Sequence, residues 1–226
     1  MANCAYLLNT PDRITDMSLR EGEWFGVAAK AWRVPVAWIC LFRPSDLGPC
    51  TIDYQIGKTI DGEKTSVLAK SLISNPSTSV AAARENLESS RALFEALAGD
   101  PMIGSEYWAA AMSALERLPL GFITIDPTEV LVMDDIHKGA RALAGALGSD
   151  AAAIECLKEI SSFTDGYVPL RREDFLGRTY KDPSEHYNNS AALDGGILEP
   201  SDFIHSSRSA EAKSRWLAKL ASIDYS

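Results

Sequence analysis

The chain has 226 residues, 46% of them hydrophobic and 23% charged, with a formal net charge of −9 from 31 acidic and 22 basic residues. That is ordinary globular composition, and the length suffices for a core without disulfide or metal staples. No run of about 18 apolar residues occurs, which argues against a transmembrane helix, and the acidic balance repels nucleic acid and anionic membrane.

The opening, MANCAYLLNT, lacks a basic n-region and does not read as a signal peptide. AYLLNT predicts a first strand closed by Asn9, Thr10 and Pro11. Residues 19–32, LREGEWFGVAAKAW, carry Trp24, Val27, Ala28 and Ala31 at helical spacing and predict a short helix stopped by Pro35. VAWICLF predicts a second strand from its β-favouring residues, and RPSDLGPC a loop. TIDYQIG and TSVLAKSLI predict strands around the polar turn DGEK, followed by a loop at SNPSTS.

From Val80 to Leu97 the spacing of Leu87, Phe94 and Leu97 predicts one helix, stopped by Gly99. A further helix, capped by Ser105 and striped by Trp108, Met112 and Leu115, ends before Pro119. GFITI and EVLVM then predict a hairpin through the turn Asp126-Pro127-Thr128-Glu129. Asp134 or Asp135 is expected to cap a helix ending near Gly148, and Ser149-Asp150 the next one. Residues 164–202 are rich in turn residues and lack a period, and a C-terminal helix is expected over 203–226. The elements do not alternate as βαβ units. The expected fold is therefore α+β: one domain with a mainly antiparallel sheet, helices packed on one face and an irregular C-terminal third. Its parts are a core over 1–163, an acidic excursion over 164–202 and a docking C-terminal helix.

The chemistry-bearing residues fit structural roles. Asp134, Asp135 and His137 offer three potential metal ligands in four residues. Neighbouring helical side chains diverge by about 100°, so they read as a cap and an acidic first turn. IGKT at 56–59 lacks the first glycine of a phosphate-binding loop, and no GxSxG is present. The four cysteines, Cys4, Cys40, Cys50 and Cys156, form no CxxC pair and read as free thiols, Cys40 and Cys156 in the core. Trp24, Trp32 and Trp38 lie close in sequence and fit either core packing or a ligand pocket. No cofactor and no metal are expected.

The opening MANCAYLL, the segment WRVPVAWICLF, two helices and LPLGFITIDPTEVLVMD together resemble a family of uncharacterised bacterial proteins. Those begin with a Met-Ala-Asn-x-x-Tyr-Leu strand and carry a tryptophan-rich segment soon after. The resemblance covers about the first 135 residues, and Cys4 stands where such openings more often have a basic residue. The family supplies no catalytic residues. By analogy with small acidic bacterial immunity proteins, the resemblance implies neutralisation of a secreted toxin.

Residues 126–202 hold 15 acidic and 7 basic residues, so an attractive field awaits a basic partner. The expected function is that of a cytoplasmic, non-catalytic immunity-type protein that occludes a toxin's basic active site. Its contact residues would be Arg171, Glu173, Asp174, Asp182, Glu185 and Tyr187, the acids standing in for substrate phosphates. The alternatives are an enzyme or ligand-binding domain with a tryptophan-lined pocket near His137, or a scaffold protein.

Overall fold

The computed structural model describes residues 4–17, 23–31, 34–60, 63–98, 101–133, 135–147, 176, 178–179 and 187–189. The fold is α+β. Strands β1 (Cys4–Thr10), β2 (Glu23–Ala31), β3 (Leu47–Ile60), β4 (Glu63–Ser79), β5 (Phe122–Asp126), β6 (Arg178–Thr179) and β7 (Tyr187–Asn189) form one sheet in the order β3-β4-β5-β1-β2-β6, with β7 also on β2. Every ladder is antiparallel. One isolated parallel bridge joins Asp16 to Thr51.

The centre of the sheet is β1, buried along nearly its whole length because it pairs on both sides. Ala5 and Leu7 enter the main core, whereas Tyr6 and Leu8 join Trp24 in a smaller cluster. This alternation is the two-residue period of a strand covered on both faces. Helices α1 (Val80–Ser89), α2 (Arg91–Ala98), α3 (Pro101–Glu116), α4 (Thr128–Leu131) and α5 (Ile136–Ala146) all give their buried apolar side chains to the main core. Among the described residues the smaller cluster draws on strands alone.

Asn9 ties the centre together. Fully buried, it donates through Nδ2 to the carbonyls of Leu120 and Phe122, and its Oδ1 accepts from the Leu120 N–H. A buried amide is tolerable when its donors and acceptor are matched in this way.

Several expectations are corrected. The segment expected as a helix over 19–32 contains β2, because pairing with β1 overrides the helix propensity of its alanines. VAWICLF, expected as a strand, forms a 3-10 helix over Val36–Leu41. Ala37 to Phe42 are all buried, so the run carries no facial period to separate helix from strand. SNPSTS is the end of β4 and no loop. Pairing with β5 holds it in the sheet: Asn75 Nδ2 donates to the Ile125 carbonyl, and Thr124 Oγ1 donates to the backbone carbonyl of Pro76.

The single helix expected over Val80–Leu97 is two, meeting at Ser90. Arg43 pins this junction by donating to the Asn86 carbonyl and to the hydroxyls of Ser89 and Ser90. The next helix begins at Pro101 and not at a Ser105 cap. It packs on α2 across Gly104, where an added Cβ would lie 2.7 Å from Glu95 Cα. The hairpin expected at 121–133 does not form. β5 pairs with β1 and β4, and EVLVM begins in α4. Asp126 Oδ1 accepts from both the N–H and the hydroxyl of Thr128, which turns the chain directly into that helix. Asp135 is the cap of α5, as expected, accepting from the N–H groups of His137 and Lys138. The helices expected after Ser149 and over 203–226 lie outside the described residues.

Candidate functional site

Of the residues assigned to a partner-binding role from sequence, Arg171, Glu173, Asp174, Asp182 and Glu185 lie outside the described residues. Tyr187 lies in β7, opposite Phe25 of β2.

The described tryptophan and histidine candidates, Trp24, Trp38 and His137, do not converge. Trp24 sits in the smaller cluster. Trp38 sits in the main core, with its indole N–H donating to the Leu176 carbonyl. Trp32 and Asp134 lie outside the described residues. His137 is exposed at the first turn of α5, and Asp135 is spent on the cap, which holds its carboxyl below the usual range through the Lys138 N–H. Among the described residues no three His, Cys, Asp or Glu side chains gather as a metal site.

The described thiols, Cys4, Cys40 and Cys50, are in unreactive surroundings, and Cys156, expected in the core, lies outside the described residues. Burial pushes Cys40 and Cys50 up to about 12, and burial followed by the Glu129 carboxylate raises Cys4. A thiolate is the reactive species. Native protein at pH 8 should therefore leave Cys40 and Cys50 unlabelled by iodoacetamide while the unfolded chain labels both. Peptide mass mapping checks this, and rapid native labelling of either would show that the core opens there.

What the structure presents to solvent is the β3–β4 hairpin. The two strands pair without a break from Leu47↔Pro76 to Ile60↔Glu63, yet β4 meets β5 only at Ser77–Ser79. The distal part is thus a two-stranded ribbon beyond the sheet. Among the described residues its base enters the core at Cys50, Ile52 and Ile73, with Leu47 and Tyr54 packed against it. Strand alternation puts Leu68, Lys70 and Leu72 on one face, opposite Gln55, Asp53 and Thr51. Leu68 is 60% and Leu72 64% exposed, and between them Lys70 Nζ lies 3.5 Å from Asp53 Oδ1. Residues 47–79 hold three acids and three lysines, so the ribbon is neutral in a chain of net −9. Two large exposed leucines on one face of a ribbon, flanking an exposed lysine paired to a half-buried aspartate, form a feature that folding alone does not require.

The sequence reading missed this face. TSVLAKSLI already shows leucine at alternate positions, but periodicity alone does not say which face meets the core. The register does: Cys50, Ile52 and Ile73 share the inward face at the base, and the leucines lie on the other side.

Compared with known proteins, this chain finds no match among family models, curated proteins or solved structures. No described helix is long and apolar enough to cross a membrane.

Proposed function

We propose that the chain is a non-catalytic protein-binding protein that engages its partner with the leucine face of the β3–β4 ribbon. The observation that carries this reading is the exposure of Leu68 and Leu72 on one face of a two-stranded element, with Lys70 between them. Apolar side chains with a polar surround are the ordinary anatomy of an interface centre. A two-stranded hairpin is at best marginal in water, so covering one of its faces stabilises the element that carries the contact.

The charge of the chain supports a basic partner. An immunity-type role, in which an acidic protein covers the basic active site of a cognate antibacterial toxin, joins both features. The ribbon would supply an apolar anchor, while Glu173, Asp174, Asp182 and Glu185 would supply complementary charge and speed association.

The test is a calorimetric titration of the product of a neighbouring toxin gene into wild type, into Leu68→Asp/Leu72→Asp, and into a variant with those four acids reversed. Wild type should form a one-to-one complex, the leucine variant should bind about 100-fold more weakly, and charge reversal should weaken binding, with stopped-flow mixing showing the loss in the association rate. Absence of a complex with wild type overturns the toxin reading. Undiminished binding by the leucine variant overturns the ribbon as the interface.

A further inference from the structure

The outer edge of β3 points to a different occupant from the ribbon's leucine face. β3 is the terminal strand of the sheet. At its base the edge is occupied: the Thr51 N–H donates to the Thr15 carbonyl, and the Met17 N–H donates to the Thr51 carbonyl. Both backbone groups of Thr51 therefore face away from β4. The unbroken register carries that orientation to every second residue, namely Asp53, Gln55, Gly57 and Thr59. No backbone bond from these outward groups to another described residue is present. Gln55, Ile56 and Gly57 are exposed.

Edges of this kind are normally blocked by proline, a bulge, short length or edge charges, of which this window carries one of each sign, Asp53 and Lys58. Here the window from 53 to 59 has no proline, and its register shows no bulge.

The window is also complementary to itself. An antiparallel pairing of two copies, centred on residue 56, sets Asp53 opposite Thr59 and Gln55 opposite Gly57, so every outward residue meets an outward residue. Four such pairs supply about eight backbone hydrogen bonds. On the other face the pairing sets position 54, a tyrosine, opposite position 58, a lysine, and Ile56 opposite Ile56. The isoleucine pair falls on the two-fold axis at a non-hydrogen-bonded position, where opposed side chains approach most closely. Ile56 is 37% exposed in the single chain and loses that exposure in the pair. No acid opposes an acid and no lysine a lysine, which is what an isologous interface demands.

We infer that two copies of this chain associate through antiparallel pairing of their β3 edges over residues 53–59, forming a continuous sheet across a two-fold axis. The contact uses the strand edge and leaves Leu68 and Leu72 uncovered, so it is independent of the function proposed above.

Light scattering coupled to size exclusion tests it on the full chain. Wild type should move with concentration from 24.5 kDa toward twice that mass. Gln55→Pro removes an outward N–H without breaking a β3–β4 bond, and should remain monomeric with an unchanged circular dichroism spectrum. Ile56→Asp and Ile56→Lys should each be monomeric alone, and an equimolar mixture should recover the dimer because the opposed residues then attract. Leu68→Asp/Leu72→Asp should dimerise like wild type. A wild type that stays at 24.5 kDa at every concentration overturns the inference. So does a dimer that survives Gln55→Pro, or a mixture of the two Ile56 variants that fails to associate.

Discussion

Replacing Asn9 by alanine is expected to destabilise the protein by about 3 kcal/mol, because it takes the side-chain partner from three backbone groups, two of them in buried bonds and one part-buried. The Leu120 N–H, the Leu120 carbonyl and the Phe122 carbonyl each have the Asn9 side chain as a partner. Asn9 has no exposure, and the methyl group of alanine reaches none of the three. The loss is larger than the hydrogen bonds themselves contribute, since each unmatched buried group keeps its full desolvation cost. Asn9→Asp sharpens the point. It can still accept from the Leu120 N–H but turns an oxygen toward two carbonyls, so it should fail to rescue. Urea denaturation of the three proteins measures this. A loss below about 1 kcal/mol for alanine would mean that water replaces the amide without difficulty.

Phe94→Ala should cost about 3–5 kcal/mol, the range for emptying a large buried aromatic site. Phe94 is fully buried on α2, which packs on both α3 and the Val36–Leu41 helix. Collapse around the cavity is resisted from one side by the α2–α3 contact at Gly104, where the helix backbones already touch. For a chain of this length the loss corresponds to a melting-point drop of about 10 °C. Phe94→Leu keeps most of the volume and should lose less than half as much. Equal losses for the two would show that ring geometry, and not filled volume, holds the site.

The fold class was legible in the sequence, and the reasons are local. The DGEK turn between alternating runs marks the long hairpin, and Leu87, Phe94, Trp108 and Leu115 mark helices by their spacing. Asp135 announces the start of α5 because cap chemistry acts within three residues. The failures are equally specific. VAWICLF is buried all round, so its residues carry no period. EWFGVAAKA favours helix locally and becomes a strand through its pairing with β1, from Cys4↔Ala31 to Asn9↔Phe25. Asp126-Pro127 resembles a hairpin turn, but the hydrogen bonds of Asp126 to Thr128 start a helix instead.

The candidate surface was the least legible part. Its residues are ordinary strand residues, and their exposure follows from β4 outrunning β5 by more than ten positions. The acidic set at 171–185 came from charge alone, which attracts a partner without placing it.

Amide hydrogen exchange, with and without the proposed partner from a neighbouring toxin gene, reads engagement of the leucine face residue by residue. The N–H groups of Leu68, Lys70 and Leu72 point away from β3, by the same register that turns Thr51 outward, so in the free protein they exchange readily. The ribbon account predicts that binding slows exchange across residues 66–72 and leaves α1 to α3 unchanged. Protection confined to the helices or to residues 171–187, with the ribbon exchanging as in the free protein, would contradict it.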